Sequence, residues 1–163
     1  MTQITAVAVF LKEKPKLLDS LVCFEKRSPD EDNYAGFWAL PGGHKKSSET
    51  IKKTLIREMH EELNVEITNS KYIGKFRDID PTSRQTYFHN VFICLDWKGK
   101  IKKTAEEEKL AWISIKEFFE KYKQSRHGKI RGIDRKILSK VISEINRLRK
   151  KPKEKGLKTK KPR

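Results

Sequence analysis

Residues 43–65, GHKKSSETIKKTLIREMHEELNV, form a segment with four carboxylates, spaced so that several of them can share one metal site. Within it, Glu58, Glu61 and Glu62 are spaced i, i+3 and i+4, which places three carboxylates on one face of a helix. Like charges this close repel one another, and a hard cation such as Mg²⁺ or Mn²⁺ removes that penalty. A solvated acidic face is the plain alternative, but the chain as a whole is strongly basic. The spacing therefore predicts a divalent-metal site.

The fixed positions of this stretch are Gly43, Glu49, the pair Arg57-Glu58, the pair Glu61-Glu62 and Asn64. Their spacing resembles the Nudix box, with Asn64 in the place of the family's glycine. The resemblance extends over about residues 4–120. It implies a Nudix-type α/β/α sandwich with a mixed β-sheet, and hydrolysis of a nucleoside diphosphate linked to another group X. Asn64 is expected just past the helix in a left-handed conformation, which Asn tolerates best after glycine.

The resemblance also implies roles for the residues of the box. Glu58, Glu61, Glu62 and the Gly43 carbonyl are expected to bind Mg²⁺, with Mn²⁺ as a substitute. Arg57 and Glu49 are expected to form a pair that orients these carboxylates. A general base outside the helix is expected among three glutamates before Trp112, of which Glu106 or Glu107 has the better spacing. The alternative for that triplet is an exposed acidic turn.

Candidate substrate contacts lie outside the box. Lys26 and Arg27, at the end of the second predicted strand, are placed like family residues that reach substrate phosphates, although each alone is more often a surface charge. Arg84 is a third candidate, in a segment that resembles part of the ADP-ribose pyrophosphatases. Stacking on a base or ribose is considered for Phe37, Trp38 and Tyr87, with core packing preferred for at least two of them.

The group X is not decided by the sequence. Pro81 lies 16 residues after Val65, a position associated with ADP-ribose pyrophosphatases, and it favours ADP-ribose or a similar NDP-sugar by a small margin. The ending EEEKLAWIS is equally typical of MutT-type enzymes that hydrolyse oxidised or ordinary nucleoside triphosphates. Two further alternatives are a catalytically inactive Nudix module that binds nucleotide or RNA, and an RNA 5′-end pyrophosphohydrolase.

Composition limits the remaining possibilities. The chain of 163 residues is long enough for one buried domain, predicted at 1–149, and its net charge of +16 favours polyanionic partners. Residues 150–163 are predicted to form a disordered Lys-rich tail, either solubilising or weakly and non-specifically binding to nucleic acid. Cys23 and Cys94 are expected to be buried free thiols. No signal peptide or membrane span is recognised, so a cytoplasmic protein is expected, and a homodimer is left open.

Hydrophobic periodicity predicts the order of the elements. Strands are expected at 3–12, 20–27, near 71–78, at 86–97 and at 111–115. Helices are expected at about 49–63, 116–123 and 131–149. Ser47 or Ser48 is expected to cap the first helix, with Glu49 in its first turn.

Overall fold

The computed structural model describes residues 2–28, 36–102, 109–123 and 130–151, and for 121–123 the backbone only. Ten main elements follow one another: β1 Thr2–Lys12, β2 Leu21–Lys26, β3 Trp38–Ala39, β4 Gly42–His44, α1 Ile51–Leu63, β5 Glu66–Ile79, β6 Thr86–Lys98, β7 Leu110–Ser114, α2 Ile115–Lys123 and α3 Gly132–Lys150. A short 3₁₀ turn at Leu17–Asp19 precedes β2. The predicted strands and helices are present in the predicted order, with boundaries that move by up to five residues, and the short strands β3 and β4 were not predicted.

The strands form one mixed sheet in the order β3-β2-β1-β6-β5, with β4 pairing on β1 and β7 pairing on β2. β1 and β6 run parallel along nine paired positions, from Thr2 opposite Thr86 to Phe10 opposite Cys94. All other pairs are antiparallel. The central strand β1 therefore has paired strands along both edges. Helices pack on both faces of the sheet, so β1 is apolar on both faces.

Alternate residues of β1 belong to two separate cores. Ala6, Ala8 and Phe10 pack under α1, against Leu55 and Met59 among others. The residues between them pack on the opposite face, under α2 and α3: Val7, Val9 and Leu11, with Phe118, Ile137, Leu138, Val141 and Ile145. The molecule is thus an α/β/α sandwich, as expected. Cys23 and Cys94 are free and buried, which confirms the prediction for both thiols.

The start of α1 differs from the prediction. Thr50 is the N-cap, and its side chain accepts a hydrogen bond from the Lys53 amide at 3.2 Å, so neither Ser47 nor Ser48 caps the helix. The helix begins at Ile51, and Glu49 lies before the cap instead of in the first turn. The carboxylate of Glu49 instead accepts hydrogen bonds from the Lys46 amide, at 2.9 Å, and from the Arg57 guanidinium. The C-terminal end follows the prediction: Asn64 adopts the left-handed conformation, with φ 56° and ψ 39°.

Candidate active site

The helix α1 presents its acidic face to a cleft beside the sheet. Leu55, Met59 and Leu63 are fully buried against β1 and β6, which fixes the rotation of the helix. Glu58 and Glu62 then point towards the cleft, on the flank next to β4. Burial of one face of the helix thereby directs the carboxylates on its other face towards the cleft.

Arg57 is the centre of a hydrogen-bond cluster that ties α1 to the segment before it. Its guanidinium donates to both oxygens of Glu49, from Nε at 2.5 Å and from Nη2 at 2.8 Å. Nη1 donates to Glu58 at 2.8 Å and to Glu61 at 3.2 Å, and Nη2 also donates to the His44 carbonyl at 3.0 Å. Three carboxylates are therefore held by one cation.

Glu49 is kept ionised by this cluster. The hydrogen bond from Arg57 is the largest cause that lowers the pKa of Glu49, to about 2, and the amide of Lys46 and the hydroxyl of Thr54 act in the same direction. The same contact raises the pKa of Arg57. Both partners therefore carry full charge at any physiological pH, and Arg57 also donates hydrogen bonds to Glu58 and Glu61.

Gly43 leaves room for the carboxylate of Glu58. β4 pairs with β1 here, with Gly43 opposite Ala6, and this brings the Gly43 backbone against α1. A Cβ atom at Gly43 would lie 2.2 Å from Cδ of Glu58 and 2.4 Å from its Oε2. Only glycine therefore lets the main chain approach the glutamate this closely.

The cleft has a volume of about 250 Å³ and is lined by both acidic and basic side chains. Gly43 with Glu58 and Glu62 of α1 forms its acidic wall. Cations from β2, from the segment that follows it and from the N-terminal end of α3 also line the cleft: Lys26, Arg27 and Arg131, together with the carboxylates of Glu25 and Asp78. Such a lining suits a ligand that carries phosphates, since carboxylates bind metal cations, and guanidinium and ammonium groups bind phosphate oxygens.

Arg131 is held at the start of α3 by a buried ion pair. Its Nε donates to Asp134 Oδ2 at 3.0 Å and its Nη2 to Oδ1 at 2.8 Å. The two residues are 7% and 0% exposed. Burial raises the pKa of Asp134, and the charge and hydrogen bonds of Arg131 oppose that shift. The guanidinium is therefore a fixed feature of the cleft and not a mobile surface charge.

His89 forms part of the cleft wall from the buried strand β6. It is 4% exposed, and its Nδ1 lies 2.7 Å from the hydroxyl of Thr5. Tyr87 stacks on the imidazole, with ring centroids 5.7 Å apart and planes 10° apart. Burial, followed by the charges of Arg131, His44 and Arg27, lowers the pKa of His89 to about 3, so the ring is neutral at pH 7.

A family model described as NUDIX domain matches residues 1–133 of the chain. The chain belongs to the Nudix family. It is accordingly a Nudix hydrolase, an enzyme that cleaves phosphoanhydride bonds. Its match to the family includes every residue that lines the cleft, from β1 to the first residues of α3.

Three individual proteins are similar to the chain, the third of them in fold alone. The CTP pyrophosphohydrolase of Escherichia coli (strain K12) is 26% identical over 117 residues, which are 72% of this chain and 80% of that protein. The nucleoside triphosphatase NudI of Enterobacter sp. (strain 638) is 34% identical over 104 residues, 58% and 72% of the two chains. The NUDIX domain of Shewanella oneidensis NrtR, solved with ADP ribose, shares the fold at a TM-score of 0.69 and 14% identity, over 89% of each chain.

Most of the residues singled out in the sequence surround the cleft of this Nudix hydrolase. Gly43, Glu58, Glu62, Lys26 and Arg27 line it. Glu49 and Arg57 lie behind the acidic wall, and Glu61 is exposed and contacts Arg57. Tyr87 also lines the cleft, whereas Trp38 is partly buried and packs against the core beside α3.

Among the predicted site residues that the structure describes, Arg84 is not brought to the cleft. Arg84 lies exposed in the turn between β5 and β6, with φ 64°, and is not among the residues that line the cleft. Glu107, with Glu106 and Glu108, lies outside the described residues, as do residues 152–163 of the predicted tail. Within the described ranges, no helix is long and apolar enough to cross a membrane.

The sequence reasoning missed His89, Arg131 and Asp134 as parts of the site. A signal for His89 was present, since a histidine interrupts the apolar run of β6 and a buried polar group needs a partner. Arg131 and Asp134 are spaced i, i+3 at the start of a helix, which is also the spacing of an ordinary surface pair. Only the packing of α3 on the sheet shows that this pair is buried.

The donor set of the acidic wall fits a divalent metal. Glu58, Glu62 and the Gly43 carbonyl offer oxygen donors, which Mg²⁺ and Mn²⁺ prefer, and the space that a Cβ would fill at Gly43 is taken by the Glu58 carboxylate. No three His, Cys, Asp or Glu side chains converge on one point within the described part of the chain. Glu61 is directed to Arg57 in this arrangement.

Proposed function

We propose that the protein hydrolyses a phosphoanhydride bond of a nucleoside triphosphate in the presence of Mg²⁺. The observation that carries the proposal is that one cleft is lined by the carboxylates of Glu58 and Glu62 and by the cations Lys26, Arg27 and Arg131. A polyphosphate needs both, since its oxygens bind to cations of the protein and to a metal held by carboxylates. The named activities of two relatives, on CTP and on nucleoside triphosphates, favour this substrate class.

Glu58, Glu61, Glu62 and the Gly43 carbonyl would hold the metal. When bound, Mg²⁺ neutralises phosphate charge and lowers the pKa of a coordinated water. Arg57 and Glu49 orient the carboxylates through the hydrogen bonds described above. Lys26 and Arg27 hold phosphate oxygens on the other side, and Glu107 remains the proposed general base. Mn²⁺ is expected to replace Mg²⁺, because it accepts the same oxygen donors.

ADP-ribose is the second candidate substrate, favoured by the position of Pro81. In the structure, however, the turn around Pro81 is explained by its own hydrogen bonds. Asp80 accepts from the amides of Thr82 and Ser83 at 3.1 and 3.2 Å and from the Ser83 hydroxyl at 2.6 Å. Burial would raise the pKa of Asp80, but these hydrogen bonds outweigh it and lower that pKa. A self-contained turn of this kind requires no substrate, and the triphosphate is therefore preferred.

The proposal is tested by the initial rates of hydrolysis of a panel of nucleotides by the full chain, with Mg²⁺ and with EDTA. The panel contains the four ordinary dNTPs, CTP, 8-oxo-dGTP, ADP-ribose, NADH, diadenosine polyphosphate and 5′-triphosphate RNA. We expect Mg²⁺-dependent turnover of at least one triphosphate, with ADP-ribose much slower. Preference for ADP-ribose would replace the first candidate by the second. Absence of turnover on every compound would contradict both and favour a binding module.

A further inference from the structure

One end of the sheet keeps an exposed surface on the side of α1. Two rows of paired residues form it, each with one residue from β1, one from β6 and one from β5: Ile4, Phe88 and Arg77, and then Thr2, Thr86 and Ile79. This surface faces the same way as Ala8, which packs under α1. Ile4 is 43% and Ile79 is 44% exposed, although both have large apolar side chains. The six residues, together with Tyr72 and Lys75 of β5, are called the open face, and exposed apolar side chains that lie together in this way mark a site of interaction.

Tyr72 is an aromatic side chain of the open face that is exposed and yet held in place. It is 49% exposed. Its hydroxyl donates to Asn90 Oδ1 at 2.9 Å, and its ring packs edge-on against Phe92, with ring centroids 5.2 Å apart. Phe88 is a second aromatic residue of the face, four residues before Phe92 and therefore about 13 Å away along β6. A ring fixed in this way loses little conformational freedom when another flat group stacks on it.

Cations lie on and beside the open face. The ammonium of Lys75 is 5.1 Å from the ring centroid of Phe88, and Arg77 is exposed in the next row. Lys52 of α1 extends over the sheet from the side, and its ammonium is 5.8 Å from the ring centroid of Phe92. The eight residues of the open face include no Asp or Glu. Aromatic rings and positive charge are thus combined on one surface.

The charge of this surface decides between possible partners. A second copy of the chain, with its net charge of +16, would bring like charges together. A nucleic acid complements the charge through its phosphates. A duplex keeps its bases stacked inside the helix, whereas a single strand offers unpaired bases that stack on aromatic side chains. The combination of rings and cations therefore favours a single strand.

We propose that the open face binds single-stranded nucleic acid, whose bases stack on Tyr72 and Phe88 and whose phosphates bind to Lys75 and Arg77. The cleft is separate from this surface, because its lining residues do not include any residue of the open face. Thr5, which lines the cleft, is next to Ile4 in β1, and adjacent strand residues point to opposite faces of a sheet. The inference therefore goes beyond the proposed hydrolysis and does not depend on it.

The test measures the Kd of the full chain for uridine RNA and thymidine DNA of about 12 nucleotides, the length of a typical single-strand site. Fluorescence anisotropy reports binding through fluorescein at the 5′ end, and neither strand has a phosphoanhydride bond that could be hydrolysed. We expect Tyr72→Leu, which removes the ring and keeps apolar bulk, to raise the Kd of at least one strand about tenfold. Leu18→Ala is the control and should match wild type, since Leu18 is equally exposed but lies in the 3₁₀ turn before β2. The urea midpoint of each variant shows that it is folded.

The role of the cations is tested by two double variants that remove the same charge. Lys75→Gln with Arg77→Gln changes the open face, and Lys98→Gln with Lys100→Gln changes exposed residues at the opposite end of β6. A phosphate contact with a single strand contributes about 0.7 to the slope of log Kd against log salt. We expect this slope to fall in the first double variant and to stay at the wild-type value in the second.

An unchanged Kd for both strands in Tyr72→Leu would overturn the proposal. Equal weakening by the two double variants would do so as well, since the strand would then respond to net charge alone. A duplex RNA of the same length that binds as tightly as the single strands would contradict stacking on Tyr72. Sedimentation velocity tests the other occupant: a wild-type dimer that separates in Tyr72→Leu would assign the open face to a second copy of the chain.

Discussion

At the scale of single residues, the site depends on one cation and one glycine. Arg57 holds Glu49, Glu58 and Glu61 through four hydrogen bonds to their carboxylates, and Gly43 makes room for the Glu58 side chain. Both features follow from the spacing of the box, in which each of these residues has a fixed place. The chemistry of the acidic wall was therefore accessible from the sequence, because its residues are close together along the chain.

Replacement of Gly43 tests the close approach of β4 to α1. In Gly43→Ala, the new methyl group collides with the Glu58 carboxylate, which must move, because α1 is fixed by its buried face. We expect the Mg²⁺-dependent turnover to fall by about 10²-fold, on the scale of one misplaced electrostatic group. Steady-state kinetics and the urea midpoint should be measured together. Wild-type turnover in Gly43→Ala would show that the Glu58 position is not needed.

The buried His89 makes the stability depend on pH. Its pKa is about 3 in the folded chain and about 6.5 when unfolded, so between these values only the unfolded chain binds the proton. The neutral His89 therefore makes its full contribution to the free energy of unfolding above about pH 6.5, and this contribution is lost as the pH falls towards 3. Between pH 7 and pH 5, we expect the free energy of unfolding to decrease by about 2 kcal/mol from this group.

Urea denaturation at pH 7 and pH 5 measures this effect in wild type, His89→Phe and Ser48→Ala. The decrease should be about 2 kcal/mol smaller in His89→Phe than in wild type. Ser48→Ala should retain the wild-type decrease, since it removes an exposed side chain that does not titrate. Equal decreases in all three proteins would mean that His89 is protonated in the folded chain.

At the scale of elements, the ends of α1 show what local sequence can and cannot decide. Asn64 was predicted correctly because a left-handed residue after a helix is set by its own backbone preference. The cap was predicted wrongly because Ser47, Ser48 and Thr50 offer similar hydroxyls in a row. The choice of capping residue depends on a side-chain contact. Glu49 binds to Arg57, which lies more than one turn into the helix, and this contact fixes where the helix begins.

The cap is tested by removal of the two competing hydroxyls. Thr50→Ala should lower the free energy of unfolding by about 1 kcal/mol, because the amide of Lys53 loses its acceptor. Ser48→Ala is the matched control, and it should leave stability within about 0.5 kcal/mol of wild type, as expected for an exposed position. Urea denaturation of both variants gives the comparison. A larger loss in Ser48→Ala than in Thr50→Ala would restore the original prediction.

At the scale of the whole molecule, the cleft is built from parts far apart in the chain. The parallel pairing of β1 with β6 brings Thr5 next to His89, 84 residues away. The packing of α3 on the sheet brings Arg131 into the same cleft. Periodicity predicted that these elements exist, but it carries no information about which strands pair. The part of the cleft that contains His89 and Arg131 was for this reason not predicted.

The most direct test of a metal-dependent hydrolase is the rate of triphosphate hydrolysis against Mg²⁺ concentration for wild type, Glu61→Gln and Glu66→Gln. The Glu61 side chain is 55% exposed, so its replacement leaves the core intact, and Glu66 is an exposed glutamate at the start of β5. We predict that turnover in Glu61→Gln falls by about 10²-fold or more, while Glu66→Gln keeps the wild-type rate. Full activity of Glu61→Gln would contradict the assignment of the acidic face of α1 to the metal.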